Sequence, residues 1–517
     1  MTNWLNDAVV YEIYPQSFND TNGDGIGDLR GIIEKLDYIQ DMGFNVIWLN
    51  PICDSSFRDA GYDVTDYYKV APRYGTNEDY KELCDACHAR GMKVMFDVVP
   101  GHTSIDHPWF KESAKNEKNE FSNRYIWTGN SIADDCPGIP NLGQRQESVI
   151  NNFFWSQPKL NYGYAHPNPD HPWELPVDHP DCLAMREELK KILDFWMDLG
   201  TDAFRVDMAA HLIGGDWDDG TATRALWHEI RDHIEKRNPN VLMIAEWAYP
   251  ERAIKAGFHL DFFLHSGPSG YRSLFRYEKG RNTTNDMIGH SYFNRNGKGN
   301  VNEYLDEFMF NYTESKGMGY LGHITGNHDI PRLAYRRDPE EVKAAMSFIF
   351  TMPGVPFVYY GDEIGMDYLE GMPNKEGGYV RCGARTPMQW DNTKNHGFST
   401  GDELYLPADT RPGAPTVADQ IDDENSVLNF VKKLTKIRRE IPAFHAEGEF
   451  EILLPSYPYV FTRSAEGEKY LIAINPSDQK RYYDAPPVEK VLLSQNTSFE
   501  GDRLVLDSVS CIIAKLK

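Results

Sequence analysis

Four short segments each end an apolar, β-rich run on a group that can carry a charge or a proton. They are MKVMFDVVPGH, ending at His102; TDAFRVD, ending at Asp207; VLMIAEW, with Glu246; and LGHITGNHD, with His328 and Asp329. Groups placed where buried strands stop describe an active site on the rim of a parallel barrel, where loops held by a rigid core carry the chemistry. Three carboxylates, two histidines and Arg205 would converge there. Two carboxyl groups, one ionised and one protonated, are what cleavage of an acetal at a sugar requires. Arg205 lies two residues before Asp207, so on a strand both face one side and the guanidinium can hold Asp207 ionised. Glu246, between VLMIA and Trp247, is placed as a proton donor. Asp329 beside His328 can grip two neighbouring hydroxyls, more tightly as the sugar flattens toward an oxocarbenium ion.

The elements that must position these groups follow a strand–helix rhythm. AVVYEIYP, FNVIWLNP and MKVMFDVV read as strands, separated by the amphipathic helices of LRGIIEKLDYIQDMG and NEDYKELCDACHARG. Near-continuous apolar strands are expected when both faces of a parallel sheet are buried. From Ser104 to about Pro180 the rhythm breaks into a stretch rich in Asn, Pro, His, Asp and Trp, expected to be a functional insertion. It resumes with the helix of CLAMREELKKILDFWMDLG, then TDAFRVD, VLMIAEW, GFHLDFFL, LGHITGNHD and VPFVYYGDEIGM. Eight strands close a barrel. The expected fold is therefore a (β/α)8 barrel over residues 1–103 and 181–442, with a loop-rich domain at 104–180 inserted after strand 3. FEILLP, YVFTRS, KYLIAIN, EKVLLS and RLVLDSVSCIIAKL imply a C-terminal antiparallel β-sandwich domain at 443–517.

Composition narrows the partners. A net charge of −25 disfavours nucleic acid, anionic lipid and heavily phosphorylated ligands. Aromatic residues at 13% suit a carbohydrate site and a large core equally. The seven cysteines lack a disulfide-like spacing, and the Cys84-x-x-Cys87 pair sits mid-helix as packing. The opening MTNWLNDAVVYEIYP has neither a basic nor an apolar leader, and no run of 18 apolar residues occurs. The expectation is a reduced cytoplasmic protein off the membrane, a monomer or small homo-oligomer acting on a small-molecule oligosaccharide.

Together, DVVPGH, AFRVDMAAH, AEW and GNHD resemble the four signature regions of the α-amylase superfamily of glycoside hydrolases. QPKLN, GFNVIWLNP and GVPFVYYGDEIGM resemble its additional motifs, and ARTPMQWD is similar to the oligo-1,6-glucosidase and α-glucosidase branch. The resemblance spans about Val9 to Phe444 and implies retaining cleavage of an α-glucosidic bond. It makes Asp207 the nucleophile, Glu246 the general acid/base and Asp329 the transition-state stabiliser. It carries Asp59 and Tyr62, in FRDAGYDVTDY, onto the subsite for the terminal glucose, with His102, Arg205 and His328 around it. Arg336, in NHDIPRLAYR, falls where exo-acting members pair an arginine with that Asp, which implies release of terminal glucose. Gly101 stands where the family has Asn and Ala203 where it has Gly; Met208 follows the nucleophile, so linkage preference stays open between α-1,6 and α-1,4.

A second candidate site is DTNGDGIGD. It spaces Asp20, Asn22, Asp24 and Asp28 at alternate positions, with the Ile26 carbonyl available, like the opening of an EF-hand loop that has Gly31 in place of the final Glu. It is read as a lone structural Ca2+ or Mg2+ site. Two alternatives share the fold: an isomerase, trehalose synthase or transglucosylase that passes the glucosyl group to a sugar, and a non-catalytic binding subunit like the ectodomain of amino-acid transporter heavy chains.

Overall fold

A computed structural model of the chain describes residues 3–130, 137–140, 142–216, 220–264, 270–276 and 289–517. Eight parallel strands close a barrel: β1 (Val10–Ile13), β2 (Val46–Leu49), β3 (Lys93–Val98), β4 (Ala203–Val206), β5 (Leu242–Ala245), β6 (Leu260–Phe262), β7 (Tyr320–Ile324) and β8 (Val355–Tyr359). They lie in chain order around the ring, and β1 closes it by pairing Val10 with Val46 on one side and Phe357 on the other. Nearly every strand residue is buried, so apolar side chains fill both faces without alternation. These are the eight strands expected from the apolar runs.

Helices pack outside the ring. Helix α1 (Asn77–Ala89) starts on a capping box of Thr76 and Asp79 and buries Tyr80, Leu83, Cys84 and Cys87 against the barrel. The C-x-x-C pair is thus core packing, and the six described cysteines are all unpaired and buried. Helix α2 (Pro180–Asp198) begins on a proline at its first turn and buries Leu189, Ile192, Leu193 and Trp196. No described helix is long and apolar enough to cross a membrane.

Between β3 and α2 lies the inserted segment, with a short helix (Pro108–Ser113) and strands Trp127–Asn130, Ile139–Pro140 and Glu147–Val149. It returns to the barrel rim where His102 bridges to Lys159 and the Leu160 amide donates to the Gly101 carbonyl at 3.0 Å. That closure brings a distant stretch of chain back beside the end of β3.

The C-terminal strands run from Glu449–Pro455 to Arg503–Leu516 and form one six-stranded antiparallel sheet. Register shifts along Val488–Glu500 curl this sheet. One face packs Phe461, Ile472 and Ile513 on the main core, while Leu471, Leu504 and Ile512 gather in a separate small core on the other.

Candidate active site

The parallel register of β3, β4 and β5 assembles the charged centre. It pairs Asp97 with Arg205 across β3 and β4, and Arg205 with Ile244 across β4 and β5. Arg205, 2% exposed, reaches three carboxylates: Asp97 at 2.8 Å, Asp207 at 3.2 Å and Glu246 at 2.8 Å. Trp48 and Tyr62 donate to the other oxygen of Asp97, at 3.2 and 3.1 Å. Burial pushes Asp97 up to about 6, with Arg205 pulling the other way.

Asp207 and Glu246 sit side by side on one guanidinium and hydrogen-bond to each other, and the Met208 amide donates to Glu246 Oε2 at 3.0 Å. Burial, then the Glu246 charge, raises Asp207 well above the ordinary carboxylate range, outweighing Arg205. Arg205, in reach of both carboxyls, favours their ionised forms. Two adjacent carboxyls disfavour double ionisation, so the pair retains a proton. A third acid, Asp261, buried beneath them, accepts from the Trp247 and Tyr249 amides at 2.9 and 3.1 Å and fixes the turn that carries Glu246.

Asp329 follows β7. Burial alone would raise it, but His328, Arg381 and Arg385 hold it well below the usual carboxylate range. Arg381 Nη1 and Arg385 Nη2 lie 2.8 and 2.9 Å from Asp329 Oδ1. Burial would lower His328, yet Asp329 and Glu12 raise it to about 9. Its Nδ1 is 2.9 Å from Glu12 and its Nε2 is 2.8 Å from the Tyr62 hydroxyl. His102 is instead pushed down to about 4 by burial and is neutral. Its Nε2 donates to the Tyr62 carbonyl at 3.0 Å, and its Nδ1 accepts from Asn152 at 3.0 Å, so neither ring nitrogen is left for a ligand.

Asp59, Tyr62, His102, Asp207, Glu246 and Asp329 line one cavity of about 270 Å3, with Arg205 and His328 buried behind it. Arg336 does not join them. It is 44% exposed and lies 3.5 Å from Glu370. The arginine on Asp59 is Arg381, at 3.1 Å, while Gln157 donates to the other Asp59 oxygen at 2.8 Å. The exposed turn after β7 turns Arg336 outward, and the later loop brings Arg381 in. Sequence reasoning assigned no role to Arg381, Asn152, Gln157, Asp97 and Asp261; the available signals were Asp97 opening DVVPGH, Gln157 opening QPKLN, and the arginines four apart, Arg381 and Arg385, at ARTPMQWD.

The loop of Asp20, Asn22, Asp24, Ile26 and Asp28 lies apart from this cavity and closes on itself. Asp20 accepts from the amides of Asn22, Gly23 and Gly25 and from the Ser399 hydroxyl, filling its four acceptor positions. Asp28 caps the following helix through the Gly31 amide and also accepts from Thr21. Asn22 and Asp24 accept from the amides of Asp24 and Ile26. Among the described residues no three acidic, His or Cys side chains gather as a cation cage. The side-chain oxygens of the loop are thus turned toward its own amides.

A chain of this architecture has known counterparts. The alpha amylase catalytic-domain model matches residues 12–447. An oligo-1,6-glucosidase of Heyndrickxia coagulans is 31% identical, covering 97% of each chain. A trehalose synthase/amylase of Mycolicibacterium smegmatis is 32% identical over 89% of this chain and 80% of that protein. The crystal structure of a trehalulose synthase from Pseudomonas mesoacidophila superposes with a TM-score of 0.83 at 26% identity, covering 100% of both chains. With the closed eight-stranded barrel and the carboxyl groups gathered at its rim, these matches establish that the chain belongs to the α-amylase family of glycosidases.

Proposed function

We infer that the chain is a retaining, exo-acting α-glucosidase that releases terminal glucose from short α-1,6- or α-1,4-linked oligosaccharides. Asp207 attacks the anomeric carbon while Glu246 gives its proton to the leaving oxygen; Glu246 then takes a proton from water, whose oxygen displaces Asp207. Asp329, ionised between His328, Arg381 and Arg385, holds hydroxyls of the same ring. The observation that carries this reading is the single small cavity shared by Asp207, Glu246 and Asp329 with the Asp59–Arg381 ion pair on its wall. An ion pair across one wall of the cavity suits the end of a chain rather than its middle. Asp207 and Glu246 both lie on the Arg205 guanidinium, which brings the two carboxyls of a retaining mechanism to one side of the cavity.

The relatives also include trehalose synthase and sucrose-acting structures, which supports a second reading: transfer of the glucosyl group to a sugar in a pocket walled by Phe153, Trp247 and Leu264 that excludes water. Isomaltose, maltose, sucrose and trehalose supplied separately decide between them. Free glucose supports hydrolysis; rearranged disaccharide as the main product overturns it. An Asp207→Asn variant that turns over an aryl α-glucoside as fast as the parent removes both readings and leaves a binding protein.

A structural Ca2+ or Mg2+ on the 20–28 loop is a separate proposal, supported by four side-chain donors within nine residues. Binding it requires Asp20 to give up amide bonds. A Tm raised by added Ca2+ and lowered by chelation supports the site; an unmoved Tm removes it.

A further inference from the structure

Beside the catalytic cavity lies a second groove of about 680 Å3, formed by the turn after β7 and the segment from Tyr368 to Val380. Tyr335 and Tyr368 pack edge to face in it with ring centres 5.1 Å apart, and the Tyr368 hydroxyl donates to the Val380 carbonyl at 2.6 Å. Tyr379 and Val380, on its border, are 60% and 51% exposed. Tyr379 sits at φ 47°, a left-handed conformation unusual for an aromatic residue, with its amide bound to Asn374 Oδ1 at 2.8 Å. The strained turn keeps this ring out of the core.

Ring contacts and one chain segment link the groove to the site. Tyr379 is two residues before Arg381, the ion-pair partner of Asp59 and Asp329. Its ring centre lies 6.4 Å from Phe154, which is 4.6 Å from Phe153, a wall of the catalytic cavity. Phe153 is itself 55% exposed. A row of rings thus leads from the cavity lip to the tyrosine groove. Phe153 and Tyr379, the two exposed rings of this row, offer apolar faces that stack on the C–H faces of sugars. On the groove wall Glu370 accepts from the Tyr335 hydroxyl and Asn374 from the Tyr379 amide.

The geometry points to this groove as the track for the leaving side of an α-linked oligosaccharide: the terminal glucose enters the cavity, and the units beyond the scissile bond lie along Phe153, Tyr379 and the Tyr335–Tyr368 pair. This rests on the glucosidase reading and adds a preference for chains of more than two units. Tyr379→Ala, a surface change outside the catalytic machinery, is compared with the parent on an aryl α-glucoside, a disaccharide and a pentasaccharide of the linkage that the parent cleaves best. The expected result is kcat/KM within about twofold on the first two and about three- to tenfold lower on the pentasaccharide, through KM, the size of one lost aromatic contact. Equal loss on all three, or none on the pentasaccharide, overturns the track. A parent that cleaves none of the three defeats the glucosidase reading instead. The track is then judged by calorimetric titration with maltopentaose and isomaltopentaose: weaker binding by Tyr379→Ala upholds it, and equal binding or none by the parent overturns it.

Discussion

A Cβ on Gly101 would lie 2.7 Å from Asn152 Nδ2, the nitrogen that donates to His102 Nδ1 at 3.0 Å and approaches Met208 Sδ at 3.6 Å. The two positions share one space. Bare backbone just beyond β3 lets a side chain from the inserted segment reach in and orient the histidine. The insertion therefore acts on the residues beside the nucleophile as well as roofing them.

Gly101→Ala is expected to push Asn152 off His102, lowering stability by about 1–3 kcal/mol, the range for overpacking a filled site, and to lower kcat/KM with it. Asn152→Gly alone loses the hydrogen bond to His102 without a clash. In the double variant the clash disappears, so its stability loss is smaller than the sum of the two single losses. Thermal melts of the four proteins check this; simple additivity would show that the positions do not compete.

Arg381 and Arg336 separate by burial. Arg381→Ala leaves Asp59 without its arginine and Asp329 with Arg385 and His328 only, and truncating one partner of a buried charge pair costs about 2–5 kcal/mol. A fall in kcat/KM of at least about thirtyfold follows. Arg336→Ala touches an exposed pair with Glu370, of a kind contributing about 0–1 kcal/mol, and leaves kcat/KM within about threefold. Steady-state kinetics on an aryl α-glucoside measure both; the reverse order would return Arg336 to the pocket.

His328 gives the fold a pH dependence with a defined sign. Its raised value, about 9, means that the folded state holds the proton more tightly than the unfolded chain, where histidine titrates near about 6.5. Its contribution is complete below the lower value and is lost as pH rises through the upper one. Asp329 works oppositely: held low, it stabilises above the ordinary carboxylate value and loses that contribution as pH falls below it. The groups that face His328 are Glu12, Asn50, Tyr62 and Asp329. Tm is expected to fall from pH 7 to 9.5, and to fall less steeply in His328→Asn. Parallel slopes for the two proteins would remove the assignment.

The barrel was legible because burying both faces of a strand leaves an unbroken apolar run, and VIWL and LMIA are such runs. Asp207, Glu246 and Asp329 were legible because each ends an apolar, β-rich run. The residues that set their protonation were not. Arg381 meets Asp59 across 322 positions, and Asn152 meets His102 across 50, through loops with no periodicity to read. The charge balance at Asp207 depended on Glu246 sharing Arg205, a fact of register and side-chain reach that spacing along one strand does not contain. In the 20–28 loop the carboxylates that can bind a cation also bind the loop's own amides, and spacing alone does not separate the two uses.

Asp261 is expected to govern the rate without touching the sugar. Its two oxygens accept from the Trp247 and Tyr249 amides, and burial, offset by these amides, raises it to about 8. In Asp261→Asn one acceptor becomes an N–H donor facing an amide N–H, leaving a buried donor unpaired at about 1–3 kcal/mol. The turn from Glu246 to Tyr249 then relaxes, and Glu246 meets the leaving oxygen less well. Because that contact belongs to the transition state, kcat should drop by about ten- to a hundredfold while KM stays within about twofold. Substrates with a good leaving group need less proton donation, so an activated aryl α-glucoside should lose less rate than a disaccharide. Equal losses on both substrates would assign Asp261 a purely structural role.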